Sequence, residues 1–317
     1  MGKPYIVDGH CDSLIHFVNG ERTLVDPAEE GQWDIQRARC AGVSLQFMAA
    51  FIETKYKPSM ATWRGLQLIE GALRFIADHP NRVFLVQEKL DLEQIPNPDR
   101  LGILLSVEGG EILGETIFML DIIFKLGVRA LGLTWNQRNA LADGIGEADT
   151  QSRLTRFGQE VVLRMNKLGM LIDVSHLNEA GFWHVLELSE DPIVASHSCA
   201  KALCAHPRNL TNQQLCALAK HNGLVGVNFY PRFLSETGKT TRADVVRHIC
   251  HIAEVAGVET VGFGSDFDGI SETPEGLEQV GDYVHLLDDL AKVGFSTQEI
   301  EQITGLNFMR ILSAVLK

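Results

Sequence analysis

Short runs rich in Val, Ile and Leu alternate with longer stretches of helical periodicity along nearly the whole chain, and nothing else in the sequence restricts the fold as strongly. The apolar runs cover residues 5–8, 43–51, 102–107, 130–134, 170–174, 193–196, 224–228 and 260–264. Helical periodicity fills 61–78, 113–126, 154–168, 178–188, 212–221, 242–256 and 283–293. This is the strand–helix pattern of a parallel sheet. Eight strands within 317 residues predict an α/β protein of the (β/α)8 TIM-barrel type, since an open sheet usually has fewer. Pro and Gly punctuation is local, at Pro96-Asn-Pro98 and Ser271-Glu-Thr-Pro274, without a linker-like shift in composition. The expectation is therefore one domain over residues 1–317, with the helical segment 297–316 packed on the outside of the barrel.

A formal net charge of −13 argues against nonspecific attraction to nucleic acid or anionic lipid, which carry the same sign. Six cysteines are spread along the chain without a Cys-x-x-Cys, which suits reduced thiols better than a disulfide framework. The opening Met-Gly-Lys-Pro-Tyr5 lacks the apolar stretch of about 7–15 residues that a signal peptide needs. No later segment approaches the ~20 apolar residues of a membrane span. A cytoplasmic protein with no membrane and no nucleic-acid partner is expected.

Polar residues fall where this fold builds its active sites, at the C-terminal ends of the strands. The first strand leads into His10-Cys-Asp12, and the third ends in Glu108-Gly-Gly. The fifth delivers Asp173-Val-Ser-His176, the sixth Ser196-His197-Ser, and the last Ser265-Asp266-Phe-Asp268. Side chains alternate along a strand, so His10 and Asp12 point the same way and Cys11 the other, against a role for that thiol as nucleophile. A lone His-x-Asp is more often a hydrogen-bonded pair than a ligand pair; five such strand ends on one rim make a metal site the better reading. Imidazole and carboxylate ligands without thiolate suit a catalytic zinc. Two metals need a shared carboxylate, and Glu108 can bridge with both oxygens, leaving His10 and Asp12 for one ion and His176 and His197 for the other. The remaining histidines (16, 79, 184, 206, 221, 248, 251 and 285) sit in helices or loops and read as structural. No Gly-x-Gly-x-x-Gly follows a strand and no Gly-x-Ser-x-Gly elbow occurs, so neither nucleotide binding nor a serine triad is supported.

These residues, together with Arg208-Asn209 and Val227-Asn-Phe-Tyr230, give the chain a resemblance to the membrane dipeptidase (renal dipeptidase) family of zinc peptidases, within the amidohydrolase-like barrels. The similarity runs from His10 nearly to the C-terminus. It implies two zinc ions per chain bridged by Glu108, with the same division of ligands. It also implies that Arg208 holds the free carboxylate of a dipeptide substrate, a task that suits a forked guanidinium. Asp266 is implied to move a proton from the attacking water to the leaving amine, with Asp268 second to it as a residue of the turn. Trp135, Asn136 and Tyr230 are the other expected substrate contacts. One departure stands out: where renal-type members carry a histidine after Leu-Thr, this chain reads Leu133-Thr-Trp135-Asn136. An indole donates one hydrogen bond but carries no positive charge.

The activity implied is hydrolysis of a dipeptide by a metal-bridging hydroxide, with a D-residue tolerated at the C-terminal position. A homodimer is compatible with it. Two other readings stand beside it. One is another amidohydrolase-type reaction, on an N-acyl amino acid or cyclic amide. The other is a barrel that binds metal with little catalysis, motivated by Trp135.

Overall fold

The structure, a computed structural model, describes residues 5–28 and 30–317; the opening Met-Gly-Lys-Pro and position 29 lie outside the described residues. Among the described residues nine parallel strands form: β1 (Ile6–Cys11), β2 (Val43–Phe51), β3 (Val83–Leu85), β4 (Leu101–Glu108), β5 (Val128–Gly132), β6 (Leu171–Asp173), β7 (Val194–Ser198), β8 (Leu224–Val227) and β9 (Val261–Phe263). Eight of them close a barrel, because β2 pairs with β4 and β1 with β9. All eight expected strands are present, and the (β/α)8 barrel with them. The ninth, β3, was not foreseen. It lies along the first residues of β4, Val83 opposite Leu101 and Leu85 opposite Ile103, on the side that β5 takes over from Leu105 onward. Three residues are too short to show a period.

The alternation of side chains decides what the barrel interior receives. Along β4, Ile103, Leu105 and Val107 join the apolar layer under the helices, whereas Leu104 joins the barrel interior. Glu108 lies on the same inward row as Leu104. Helices form where periodicity placed them: Ala61–Asp78 and Arg242–Ala256 match the expected spans, and Arg156–Leu168 starts two residues later, after Thr155 caps it by accepting from Gly158 N–H. The expected helix at 113–126 is shorter, Ile117–Lys125, because Gly114, at a φ of +56°, breaks the chain before it.

The C-terminal segment departs from expectation. Helix Asn307–Val315 does not simply lie outside the barrel: Phe308, Ile311, Leu312 and Val315 pack with Val7, Phe47, Leu104, Leu171 and Leu224 and so fill the floor. Phe308 is fully buried, 5.3 Å from the Phe47 ring. A Cβ on Gly9 would lie 2.4 Å from the Phe308 ring, so this aromatic occupies the space a side chain beneath His10 would need. The amphipathic pattern marked a helix with one apolar face but not which apolar surface it would meet.

Candidate active site

Both histidine-bearing strands are irregular where they reach the rim. The pairing register of β1 shifts between Asp8 and Cys11, and that of β7 between Ala195 and Ser198. Such bulges re-aim side chains, here those of His10 and His197. The Ser196 carbonyl turns inward at the second bulge, and a Cβ on Gly226 or Gly264 would stand only 2.0 or 1.8 Å from it. Glycine at those two positions is what lets the bulge exist.

Glu108 stands between the two halves of the site. Its Oε2 is 3.6 Å from His10 Nε2, which is 3.3 Å from Asp12 Oδ2 and 3.9 Å from Asp266 Oδ1. Its Oε1 is 2.7 Å from His176 Nε2 and 3.5 Å from His197 Nε2. The structure thus brings all five expected ligands and Asp266 together around Glu108, with the His197 ring centroid also 3.9 Å from that of His10.

Hydrogen bonds behind the ligands assign their protons. His176 Nδ1 meets Asn136 Oδ1 at 2.8 Å; His197 Nδ1 meets Ser196 Oγ at 2.8 Å, and that hydroxyl donates to Asp173 Oδ2 at 2.5 Å. Each ring therefore carries its proton on Nδ1 and turns an Nε2 lone pair inward. The two Nε2 atoms are 2.9 Å apart, and both face Glu108 Oε1. Two lone pairs and a carboxylate oxygen this close repel one another; Arg208 Nη2, 3.1 Å from His176 Nε2, offsets part of that repulsion, and a metal cation among them would offset the rest. Asp12 Oδ1 is buried with no hydrogen-bond partner. Inward imidazole lone pairs, orphaned carboxylate oxygen and outward protons held by acceptors are what zinc coordination requires, so the residues fit the metal the sequence implied.

Electrostatics agree. Burial, followed by the charges of Arg208 and His10, holds His176 well below its usual pKa, and burial and His10 do the same for His197. Both are neutral, the form that ligates. Burial opposes a charge on His10 too, but Asp12 and Glu108 outweigh it and raise this ring to about 10. Glu108 is lowered to about 2 because His10, His197 and Arg208 overcome its burial. Asp266 is raised to about 7, first by burial and then by Asp12 and Glu108, while His10 and Asn228 pull the other way.

The loop after β9 sets the Asp266 carboxylate. Asp266 and Asp268 both have left-handed backbone, φ +65° and +66°, a conformation that costs a non-glycine residue about 1–2 kcal/mol and clusters at functional sites. Asp266 Oδ2 accepts from Asn228 Nδ2 at 2.9 Å, and the Asp266 backbone N–H donates to His10 O at 3.1 Å. Asp268 instead accepts from Ser13 Oγ at 2.5 Å and Gln32 N–H at 2.8 Å and lies 2.7 Å from Arg22 Nη2 as an ion pair, contacts that hold the turn. Gly269 leaves room for convergence: a Cβ there would be 2.0 Å from Asp12 Oδ2 and 2.5 Å from Asp266 Oδ1.

A cavity of about 720 Å³ opens above these groups, and Trp135, Asn136, Arg208 and Tyr230 all line it. Arg208 is only 4% exposed. Its Nη1 donates to Ser175 O and its Nη2 to His197 O at 3.1 Å, so the guanidinium is held beside the second histidine pair. Trp135 lies against Phe51, 5.3 Å between ring centroids, and Lys57 Nζ sits 5.1 Å from the indole centroid. Asn136 spends its side-chain oxygen on His176, which makes it a ligand-orienting residue as well as a cavity wall. Cys11 is buried, and burial raises its thiol well above the usual value, so it is no nucleophile.

Sequence reasoning missed several residues. Asp173 and Ser196 lie inside quoted motifs, but their part in holding His197 depends on β6 and β7 being neighbours. His16 and His206, read as structural, line the cavity. His248 is structural as expected: it accepts Ala200 N–H and reaches Leu234 O at 3.0 Å.

A parallel barrel whose rim aims three imidazoles and a carboxylate at one another has the donor set of a metal-dependent hydrolase. Comparison narrows this. The family model for membrane dipeptidases, peptidase family M19, matches residues 1–317, and the chain belongs to that family. It is therefore a hydrolase of the metallo-dipeptidase type. Dipeptidase aclJ of Aspergillus oryzae is 32% identical over 334 residues, covering 98% of this chain and 78% of that protein. Among solved structures, the metallopeptidase dipeptidase AC superposes with a TM-score of 0.92 at 26% identity, over 99% of both chains. A metallopeptidase of Rhodobacter sphaeroides, liganded with a phosphinate mimic of the dipeptide L-Ala-D-Ala, gives 0.92 at 25% identity over 99% of both chains.

Proposed function

We propose that this protein is a binuclear zinc dipeptidase, with His10, Asp12 and Glu108 holding one ion and Glu108, His176 and His197 the other. The observation that carries the reading is the division of Glu108: one carboxylate oxygen faces the first set and the other faces the second. Zinc held by these residues would supply Lewis acidity toward a carbonyl and would bring the pKa of a water toward neutrality. The chain's own groups do the rest. Asp266, next to His10 and raised toward neutrality, is suited to take a proton from water and pass it to the leaving amine. Arg208 is buried beside His176 and can pair with a carboxylate one residue beyond the bond that breaks. That short span restricts substrates to dipeptides. Trp135 and Tyr230 wall the cavity. Acceptance of a D-residue at the C-terminal position is supported by the likeness to the Rhodobacter protein and the dipeptide mimic it holds.

The test is elemental analysis with hydrolysis of L,L and L,D dipeptides before and after chelation. About two zinc per chain and chelator-sensitive cleavage are expected. Asp266→Asn should keep its zinc and lose on the order of a hundredfold or more in kcat. Full cleavage by a metal-free protein, or an unchanged Asp266→Asn, would sink the mechanism.

A further inference from the structure

His206 has no part in the metal centre, yet its ring lines the substrate cavity beside Arg208. Its Nδ1 accepts the backbone N–H of Arg208 at 3.2 Å. Burial, and then the charge of Arg208, hold the ring below its usual pKa, so it is neutral at pH 7. A neutral imidazole that accepts at Nδ1 carries its proton at Nε2. Its free edge is thus a hydrogen-bond donor, and among the described residues nothing accepts from it.

The surroundings hold that donor next to the guanidinium. The His206 ring centroid is 4.5 Å from that of Phe233, and the Arg208 guanidinium carbon is 5.4 Å from the same centroid. Both groups therefore rest on one buried aromatic platform. Asn209 staples the loop to it, donating from Nδ2 to Cys204 O at 2.9 Å and to Phe233 O at 2.8 Å. Part of the guanidinium is committed to protein carbonyls, those of Ser175 and His197. A carboxylate offers about four acceptor positions, more than the remaining Arg208 donors can satisfy.

We propose that His206 is a second substrate-binding donor for the dipeptide's C-terminal carboxylate, its Nε2–H completing with Arg208 a two-residue cradle on Phe233. The inference rests on the dipeptidase reading of the site. It assigns His206 to binding and not to the chemical step, because its partner would be a group that keeps its charge throughout the reaction.

Two variants test it, with L-Ala-D-Ala and L-Ala-L-Ala as substrates and fully zinc-loaded enzyme. His206→Phe keeps the stacking on Phe233 and removes the donor; His206→Gln restores an N–H donor at similar reach. A hydrogen bond to a charged group is worth on the order of a tenfold change or more. His206→Phe should raise KM about tenfold with kcat within about twofold of wild type, and His206→Gln should recover most of the loss. Inhibition by free D-alanine, which presents the same carboxylate, should weaken in parallel. An active wild type whose KM and D-alanine inhibition are unchanged in His206→Phe overturns the inference alone. A fall in kcat at constant KM also overturns it. A zinc-loaded wild type that cleaves no dipeptide overturns the underlying reading and the inference with it.

Discussion

Replacing Asp173 by Asn should strip zinc selectively from the half of the site that His197 serves. The Asp173 carboxylate accepts four hydrogen bonds: Ser175 N–H at 3.0 Å, Ser175 Oγ at 2.6 Å and Ser196 N–H at 3.0 Å on Oδ1, and Ser196 Oγ at 2.5 Å on Oδ2. An amide keeps the three at Oδ1. At the other position an NH2 now donates to Ser196 Oγ, so that hydroxyl must turn its proton elsewhere. Two acceptors lie within reach, Ser175 Oγ at 3.1 Å and His197 Nδ1 at 2.8 Å, and the nearer, more basic imidazole nitrogen takes it. The imidazole proton then belongs on Nε2, where the metal needs a lone pair. An Asp-to-Asn change that enforces the wrong tautomer is known to disable catalytic histidines in the same way.

Losing one charge-assisted bond and the preferred tautomer costs about 1.5–3 kcal/mol. This corresponds to about a 10–100-fold weaker site, the range typical of groups that orient metal ligands. The assay is competition with a chromophoric chelator, which should resolve one zinc of ordinary affinity and one weakened by that factor. Activity at limiting zinc should fall in proportion and recover at high zinc. Wild-type affinity at both positions in Asp173→Asn would refute the proton assignment on which the reasoning depends.

Three further outcomes follow from the geometry. Gly269→Ala should fold normally and lose on the order of a hundredfold in kcat/KM, because its Cβ intrudes 2.0 Å from Asp12 Oδ2 and displacements of about 1 Å at a reacting site have effects of that size; unchanged kinetics would remove the steric argument. In metal-free protein His10, raised to about 10, is protonated through pH 8, and its attraction to the carboxylates is fully present below about 6.5 and fades as pH climbs through 10. Zinc must displace that proton, so calorimetry in buffers of different ionisation enthalpy at pH 8 should register release of about one proton or more per chain and affinity that rises with pH; no release would contradict it. Phe308→Ala should lower unfolding free energy by about 3–5 kcal/mol in chemical denaturation, since it empties the barrel floor beneath Gly9; a loss under about 1 kcal/mol would mean that the last helix is dispensable.

Much of the barrel was legible because its strands are short apolar runs and its helices periodic ones, signals that survive without knowledge of partners. The histidines and carboxylates of the candidate site were legible for a related reason: a strand end is local information, and in this fold every such end reaches the same rim. Residues that act through a neighbour were not legible. Asp173 and Ser196 are 23 positions apart and meet only because β6 and β7 are adjacent. His206 carried no signal beyond standing two residues before Arg208; its meaning comes from Phe233, on a later segment.

Composition, periodicity and strand-end residues by themselves determined that the chain forms a parallel barrel with imidazoles and carboxylates on one face. Tertiary structure alone decided how those groups are aimed. The bulges at His10 and His197, the space left by Gly226, Gly264 and Gly269, and the floor filled by Phe308 are steric facts between segments distant in sequence. A run of residues encodes its own backbone preference and the face each side chain takes. It does not encode the atoms that will stand across the barrel, and those atoms select the tautomer, the charge and the reach of each group in the site.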